Sequence, residues 1–205
     1  MMKFCYLLTA CVFLAFSLFY VSGVDSKVLD EGVSSGFAPR SQLLNPRKAA
    51  EFTLTNQDGS EVSLAGLKGK VVLLAFIYTR CHEICPSITD QFCQIQKAFD
   101  EEMGKDLELV LISLDPRRDD PERCQKYTEA YEGKWFFLTG TSEQIDALLP
   151  HYQVMTRPSE QSEILHNWMV VLIDRNGYIR YRYMGEDDPQ RHLVSDIKDL
   201  IGEDQ

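Results

Sequence analysis

Cys81 and Cys85, in the segment Tyr78-Thr79-Arg80-Cys81-His82-Glu83-Ile84-Cys85-Pro86, form a thiol pair with three residues between them. Thiolates attack disulfides and bind soft metal ions, so the pair points to disulfide exchange or to metal binding. A disulfide can close at this spacing, but cross-linking so short a loop constrains little unfolded-chain entropy, which argues against a purely structural bridge. Stable copper binding needs a third ligand. His166 is the best candidate, because it lies in a loop just before a strand at Trp168 and can reach back over a neighbouring strand end. Two thiolates suit Cu(I), and an added imidazole lets the same site accept Cu(II). Taken alone, a histidine ahead of a strand is more often a half-buried loop side chain.

Other residues have competing explanations. His82, between the two thiols, could bind metal or, when protonated, lower a neighbouring thiol's pKa; a solvent-facing loop position is the plainer alternative. Asp115 and Asp119 could line the edge of the site, yet Asp-Pro and Asp-Asp-Pro sequences are ordinary turn and cap chemistry. Cys93 and Cys124 read as small buried apolar residues, with a Cys93–Cys124 disulfide open as the alternative in an oxidising compartment. His151 and His192 fall at a helix end and a helix start, with no function assigned. Met155, Met169 and Met184 lack a clustered soft-metal spacing.

The elements that must position these residues follow from the pattern. Residues 71–78 are a continuous apolar run without alternation, as expected of a central strand buried on both faces. The cysteine segment follows at once, and from about Cys85 or Pro86 the spacing of Ile88, Phe92, Ile95, Phe99 and Met103 is helical. A helix start there places a cysteine where free N–H groups and the helix dipole favour the thiolate. Residues 107–114 predict a second buried strand, Asp120-Pro121 opens a helix to about residue 131, and residues 135–138 form a short strand. Thr141 or Ser142 caps a helix that is expected to stop before Pro150. Residues 52–54 and 62–64 flank Asp58-Gly59, and residues 168–173 and 178–184 flank Asn176-Gly177, so both predict hairpins. Leu193, Ile197, Leu200 and Ile201 give an amphipathic helix at the end of the chain. The alternation predicts an α/β fold with a mainly parallel central sheet and helices on both faces.

The chain has 205 residues and a net charge of −10. No basic stripe with interleaved aromatics appears, so nucleic acid is an unsuitable partner. Lys3 is followed by an apolar run at residues 4–21 and then Ser22-Gly23, the pattern of an export signal or an uncleaved N-terminal membrane anchor. Residues 24–47, rich in Gly, Ser and Pro, read as a tether or irregular lead-in, and residues 48–205 as the folded domain. This organisation places the domain outside the cytosol, in a bacterial periplasm or on the outer face of the cytoplasmic membrane.

The segment Phe76 to Pro86, the later Ile112-Ser113-Leu114-Asp115-Pro116-Arg117-Arg118-Asp119-Asp120-Pro121, and His166 ahead of Leu172-Ile173-Asp174-Arg175-Asn176-Gly177 together resemble the SCO/SenC family. The resemblance spans roughly Glu51 to the C-terminus. It implies a thioredoxin-like fold with an inserted N-terminal hairpin, a copper ion held by Cys81, Cys85 and His166, and a role as a copper chaperone. The partner so implied is subunit II of cytochrome c oxidase, or another copper protein, served by copper delivery or by reduction of its cysteines, with a thioredoxin-like reductant in support. Ile77, His82 and Leu165 depart from the family pattern, which has Gly, Pro and Asp there; the last change removes an acidic neighbour that could orient the imidazole. A metal-independent thiol–disulfide oxidoreductase using Cys81 and Cys85 is the alternative from another class. A thiol peroxidase and a passive redox sensor are more distant ones.

Overall fold

In the computed structural model, residues 40–158, 163–185 and 189–203 are described, all of them within the compact unit Ala38–Gln205. The expected export segment and residues 24–39 of the expected lead-in lie outside the described residues. Among the described residues no helix is long and apolar enough to cross a membrane.

The apolar run forms strand β4, Val71–Ile77, and all seven of its residues are buried. Because successive side chains of a strand point to opposite faces, burial of every one means that both faces of the sheet are covered. β5, Leu107–Ser113, is buried throughout in the same way and pairs with β4 in parallel, from Val71↔Leu107 to Ile77↔Ser113. Helix α1, Ile84–Ala98, makes the crossover between them, and α2, Pro121–Ala130, makes the next one to β6, Phe136–Leu138. Asp120 caps α2 by accepting the Arg123 N–H at 2.8 Å, with Pro121 in the first turn where a missing N–H costs nothing.

β9, Val170–Ile173, lies antiparallel on the other side of β4 and returns as β10, Tyr178–Tyr183. The turn follows the Asn-Gly signal but with four residues between the strands: Gly177 takes a positive φ of 84°, and the Asp174 side chain accepts the N–H groups of Asn176 and Tyr178. The smaller hairpin β2 (Thr53–Thr55) and β3 (Glu61–Ser63) stands where Asp58-Gly59 predicts it. The last helix, α4, Pro189–Gly202, packs with α1 against β4.

Three expectations change. The six-stranded sheet, in the order β1 (Arg40–Lys48), β10, β9, β4, β5, β6, is mixed rather than mainly parallel, because the second hairpin adds antiparallel strands to one side of the βαβ unit. Residues 40–47, expected to be irregular, belong to strand β1, Arg40–Lys48, at the sheet edge beside β10. Its pairing is interrupted between Gln42 and Arg47, around Pro46, and Leu44 is 95% exposed there. An edge strand held by its neighbour's backbone needs no apolar period of its own, and an edge is where proline is tolerated. Finally, α3, Ser142–Tyr152, runs through Pro150 instead of stopping before it. The buried Tyr152 draws the last turn on: its ring packs on Phe76 at 5.4 Å and its hydroxyl donates to the Ala50 carbonyl at 3.0 Å.

Candidate functional site

The carboxyl end of β4 passes into Tyr78 and the cysteine loop, where the Cys81 N–H donates to the Tyr78 carbonyl at 3.2 Å. The loop is fastened from below by Asp119. This fully buried carboxyl accepts the Thr79 N–H at 3.0 Å, the Thr79 hydroxyl at 2.6 Å and the Ser113 hydroxyl at 2.7 Å. Arg123 Nε then donates to Thr79 Oγ1 at 2.9 Å, which links the loop to α2. Asp119 is therefore a structural tie beneath the site, and Asp115 is likewise buried and ion-paired to Arg118. Asp119→Ala orphans the buried Ser113 hydroxyl, at about 1–3 kcal/mol, and two half-buried donors of Thr79, at less, so we expect a loss of about 2–4 kcal/mol, read as a lower urea midpoint at unchanged m.

Cys85 is the second residue of α1 and is fully buried, while Cys81, before the helix, is 9% exposed. The Cys85 carbonyl accepts the Thr89 hydroxyl at 2.9 Å, and Thr89 in turn bonds Tyr127. His166 is the last residue of a short strand, β8 (Ile164–His166), antiparallel to β7 (Thr156–Pro158), rather than part of a loop. Three-residue strands leave no readable period, which is why the sequence did not show this hairpin. Its Nε2 stands 3.3 Å from Cys85 Sγ, and one ligand atom from each of Cys81, Cys85 and His166 lies within 4.8 Å of the others. His166 Nδ1 is 3.1 Å from the Asn167 carbonyl, which can only accept, so Nδ1 carries a hydrogen and Nε2 is the nitrogen that faces the sulfurs. The Asn167 carbonyl thus does the orienting that an acidic residue at Leu165 would have done. Leu165 itself is 46% exposed.

The two thiols are unequal. A hydrogen bond from Cys85 holds the Cys81 thiol well below the usual range; burial opposes this, and His166 and the N–H groups of Cys85 and Glu83 assist. Burial, followed by the hydrogen bond to Cys81, drives the Cys85 thiol far up. The pair therefore presents one thiolate and one protonated thiol. That is an attacking and a resolving cysteine for exchange, and two sulfurs plus an imidazole for a soft ion.

His82 is exposed and stands outside this cluster, at the rim of a small cleft of about 40 Å³ that Cys81 and His166 also line. Cys93 and Cys124 are free thiols, as are Cys81 and Cys85. Burial pushes Cys124 up to about 12 and raises Cys93, so neither is a nucleophile near neutral pH. His151 and His192 are exposed and outside the cluster, as is Met155, while Met169 is buried. The residue that motif reading passed over is Tyr78. It is 2% exposed, its ring meets the His166 imidazole edge-on at 5.9 Å, and its hydroxyl accepts the Ile164 N–H at 3.2 Å. The available signal was a phenol closing a buried apolar run, since a buried hydroxyl needs a partner.

Known proteins share this arrangement of elements. The SCO1 protein homolog of Bacillus subtilis (strain 168) is 34% identical over 154 residues, covering 72% of this chain and 79% of that protein. The structure of Bradyrhizobium japonicum ScoI with copper bound superposes with a TM-score of 0.66 at 25% identity, over 75% of this chain and 99% of that one. BsSco, described with a disulfide switch as a member of the Sco family of cytochrome c oxidase assembly proteins, gives a TM-score of 0.68 at 30% identity, over 80% of this chain and 97% of its own. The SCO1/SenC family matches residues 40–202, from the edge strand to the last helix and through both cysteines and His166, and this chain belongs to it.

Proposed function

We propose that this chain is an exported copper-binding protein that holds a copper ion between Cys81, Cys85 and His166 and supplies it to the binuclear copper centre of cytochrome c oxidase subunit II or to another copper protein. The observation that carries the proposal is the convergence of two sulfurs and an imidazole nitrogen within 4.8 Å, with Nε2 turned toward the sulfurs. The donor set fits the ion: thiolates favour Cu(I), and the imidazole extends the site to Cu(II). A relative from Bradyrhizobium japonicum has been seen with copper bound. Beside the sulfurs, Glu163 and Ile164 also wall a larger cleft of about 660 Å³ with Arg117 and Arg157, which offers a protruding segment of a partner room next to the site. Export is supported by residues 1–23, read as a signal or anchor, which suit a domain in a bacterial periplasm or on the outer face of the cytoplasmic membrane.

Anaerobic titration of the reduced protein with Cu(I) and then Cu(II), against a competing chelator, tests the proposal. One equivalent of each ion bound tightly supports it; failure to compete for either overturns it.

The inequality of the two thiols favours a second reading, disulfide exchange. In that case the Cys81 thiolate attacks a partner disulfide and displaces one of its sulfurs as thiolate. Cys85, giving up its proton, then attacks Cys81, which releases the partner as a dithiol and leaves a Cys81–Cys85 disulfide. Two electrons pass to the partner, and a thioredoxin-like reductant returns them. Rapid exchange with a cysteine-pair peptide in a protein that binds no copper would select this reading over the first.

A further inference from the structure

We propose that Tyr78 is a positioning residue whose phenol ties the β7–β8 hairpin, and with it His166, to the strand that leads into the cysteine loop. The inference rests on the copper reading of the site. A two-stranded hairpin with three-residue strands does not hold its place unaided. On its outer flank Asn167 fastens it, accepting the Met155 N–H at 2.8 Å and donating to the Gln153 carbonyl at 3.2 Å. On the side of the thiols the tie is Tyr78. Ile164 lies opposite Pro158, which has no N–H to exchange, and the Ile164 N–H is directed out of the β7–β8 pair onto the Tyr78 hydroxyl at 3.2 Å. Two residues further along β8, the imidazole rests edge-on against the same phenol ring.

The two contacts divide the work of placing Nε2. The Asn167 carbonyl fixes which nitrogen faces the sulfurs, and Tyr78 fixes how far the hairpin stands from them. Because Tyr78 precedes Cys81 by only three residues, the imidazole is referenced to the cysteine loop itself, and the two halves of the site move together. A third ligand delivered by a separate hairpin needs such a link, since a misplacement of about 1 Å is enough to spoil a constellation of this kind.

Tyr78→Phe in the full chain retains the ring, its burial and its contact with the imidazole, and deletes only the hydroxyl. In the apo protein we expect the Ile164 amide to exchange its hydrogen about tenfold faster while neighbouring strand β4 is unchanged. With metal, Cu(I) binding by the two sulfurs is affected far less than Cu(II) binding, through loss of the phenol's hydrogen bond to Cys81 alone. Cu(II) affinity falls by about 10–100-fold, the range for residues that orient a ligand, with a weakened nitrogen signature in the electron paramagnetic resonance spectrum. Tyr78→Phe combined with His166→Ala should bind Cu(II) no more weakly than His166→Ala alone. Ile164→Pro, which removes the donor from the other end, should reproduce the fall in Cu(II) affinity if Tyr78→Phe folds poorly. Unchanged Ile164 exchange together with an unchanged Cu(II) spectrum overturns the proposal, and so does full additivity with His166→Ala. If the wild type binds no Cu(II), the copper reading fails, and Ile164 exchange alone decides the tie.

Discussion

Cys85→Ser is expected to abolish tight Cu(I) binding while leaving a protein that captures a disulfide partner and cannot let it go. Serine offers a hard oxygen in place of a soft sulfur, and one thiolate with an imidazole no longer makes a two-sulfur site for Cu(I). The remaining Cys81 keeps its backbone N–H donors, and the serine hydroxyl can donate to it where the Cys85 thiol did, so it stays an acidic thiol. It still attacks, but the second step has no sulfur to perform it, so a mixed disulfide accumulates on Cys81. The reciprocal Cys81→Ser also loses Cu(I) but traps nothing, because the buried Cys85 keeps its proton. Chelator competition reads the first effect, and mass spectrometry after incubation with an oxidised cysteine-pair peptide reads the second. Equal trapping by the two variants would contradict the assignment of attacking and resolving roles.

The parts of the fold that were legible in the sequence are those whose stability is written in local pattern. β4 is an unbroken apolar run and β5 one interrupted only by Glu108 and closed by Ser113, and Asn176-Gly177 supplies a residue that readily takes positive φ. Asp120-Pro121 is a cap and a first turn in two letters. The features that escaped depend on partners distant in the chain. β1 is a strand because the edge of β10 accepts it, and its own side chains carry no period. α3 passes Pro150 because Tyr152 is held by Phe76 and Ala50, and propensity at the proline loses to that packing. The site divides along the same line. Cys81 and Cys85 are close in sequence and declare themselves; His166 is eighty-one positions from Cys85 and comes to it through a hairpin too short to have a pattern. Asp119 looked like cap chemistry and is instead the buried acceptor beneath Thr79. The Asn167 carbonyl, which settles the imidazole's tautomer, is backbone, and no residue type announces it.

His166→Ala should separate the two oxidation states of copper. Cu(I) keeps both of its thiolates, so its affinity should fall far less than that of Cu(II). Cu(II) prefers the added imidazole nitrogen, and its affinity should fall by more than the 10–100-fold typical of losing a residue that only orients a ligand. The nitrogen features of the electron paramagnetic resonance spectrum should vanish with it. Thiol chemistry moves far less: His166 is one of several groups that hold the Cys81 pKa down, behind Cys85, so its removal raises that pKa only in part. At neutral pH the backbone donors still favour the thiolate, and exchange with a cysteine-pair peptide should persist. The variant therefore also discriminates between functions in the cell. If delivery of copper through a three-ligand site is the task, His166→Ala should impair the maturation of the copper protein served even though its thiols still exchange. If exchange alone is the task, the same variant should support maturation close to normally. A stoichiometric Cu(II) complex with unchanged affinity and spectrum in His166→Ala would remove the imidazole from the site altogether, and with it the reason for the hairpin to stand where Tyr78 and Asn167 hold it.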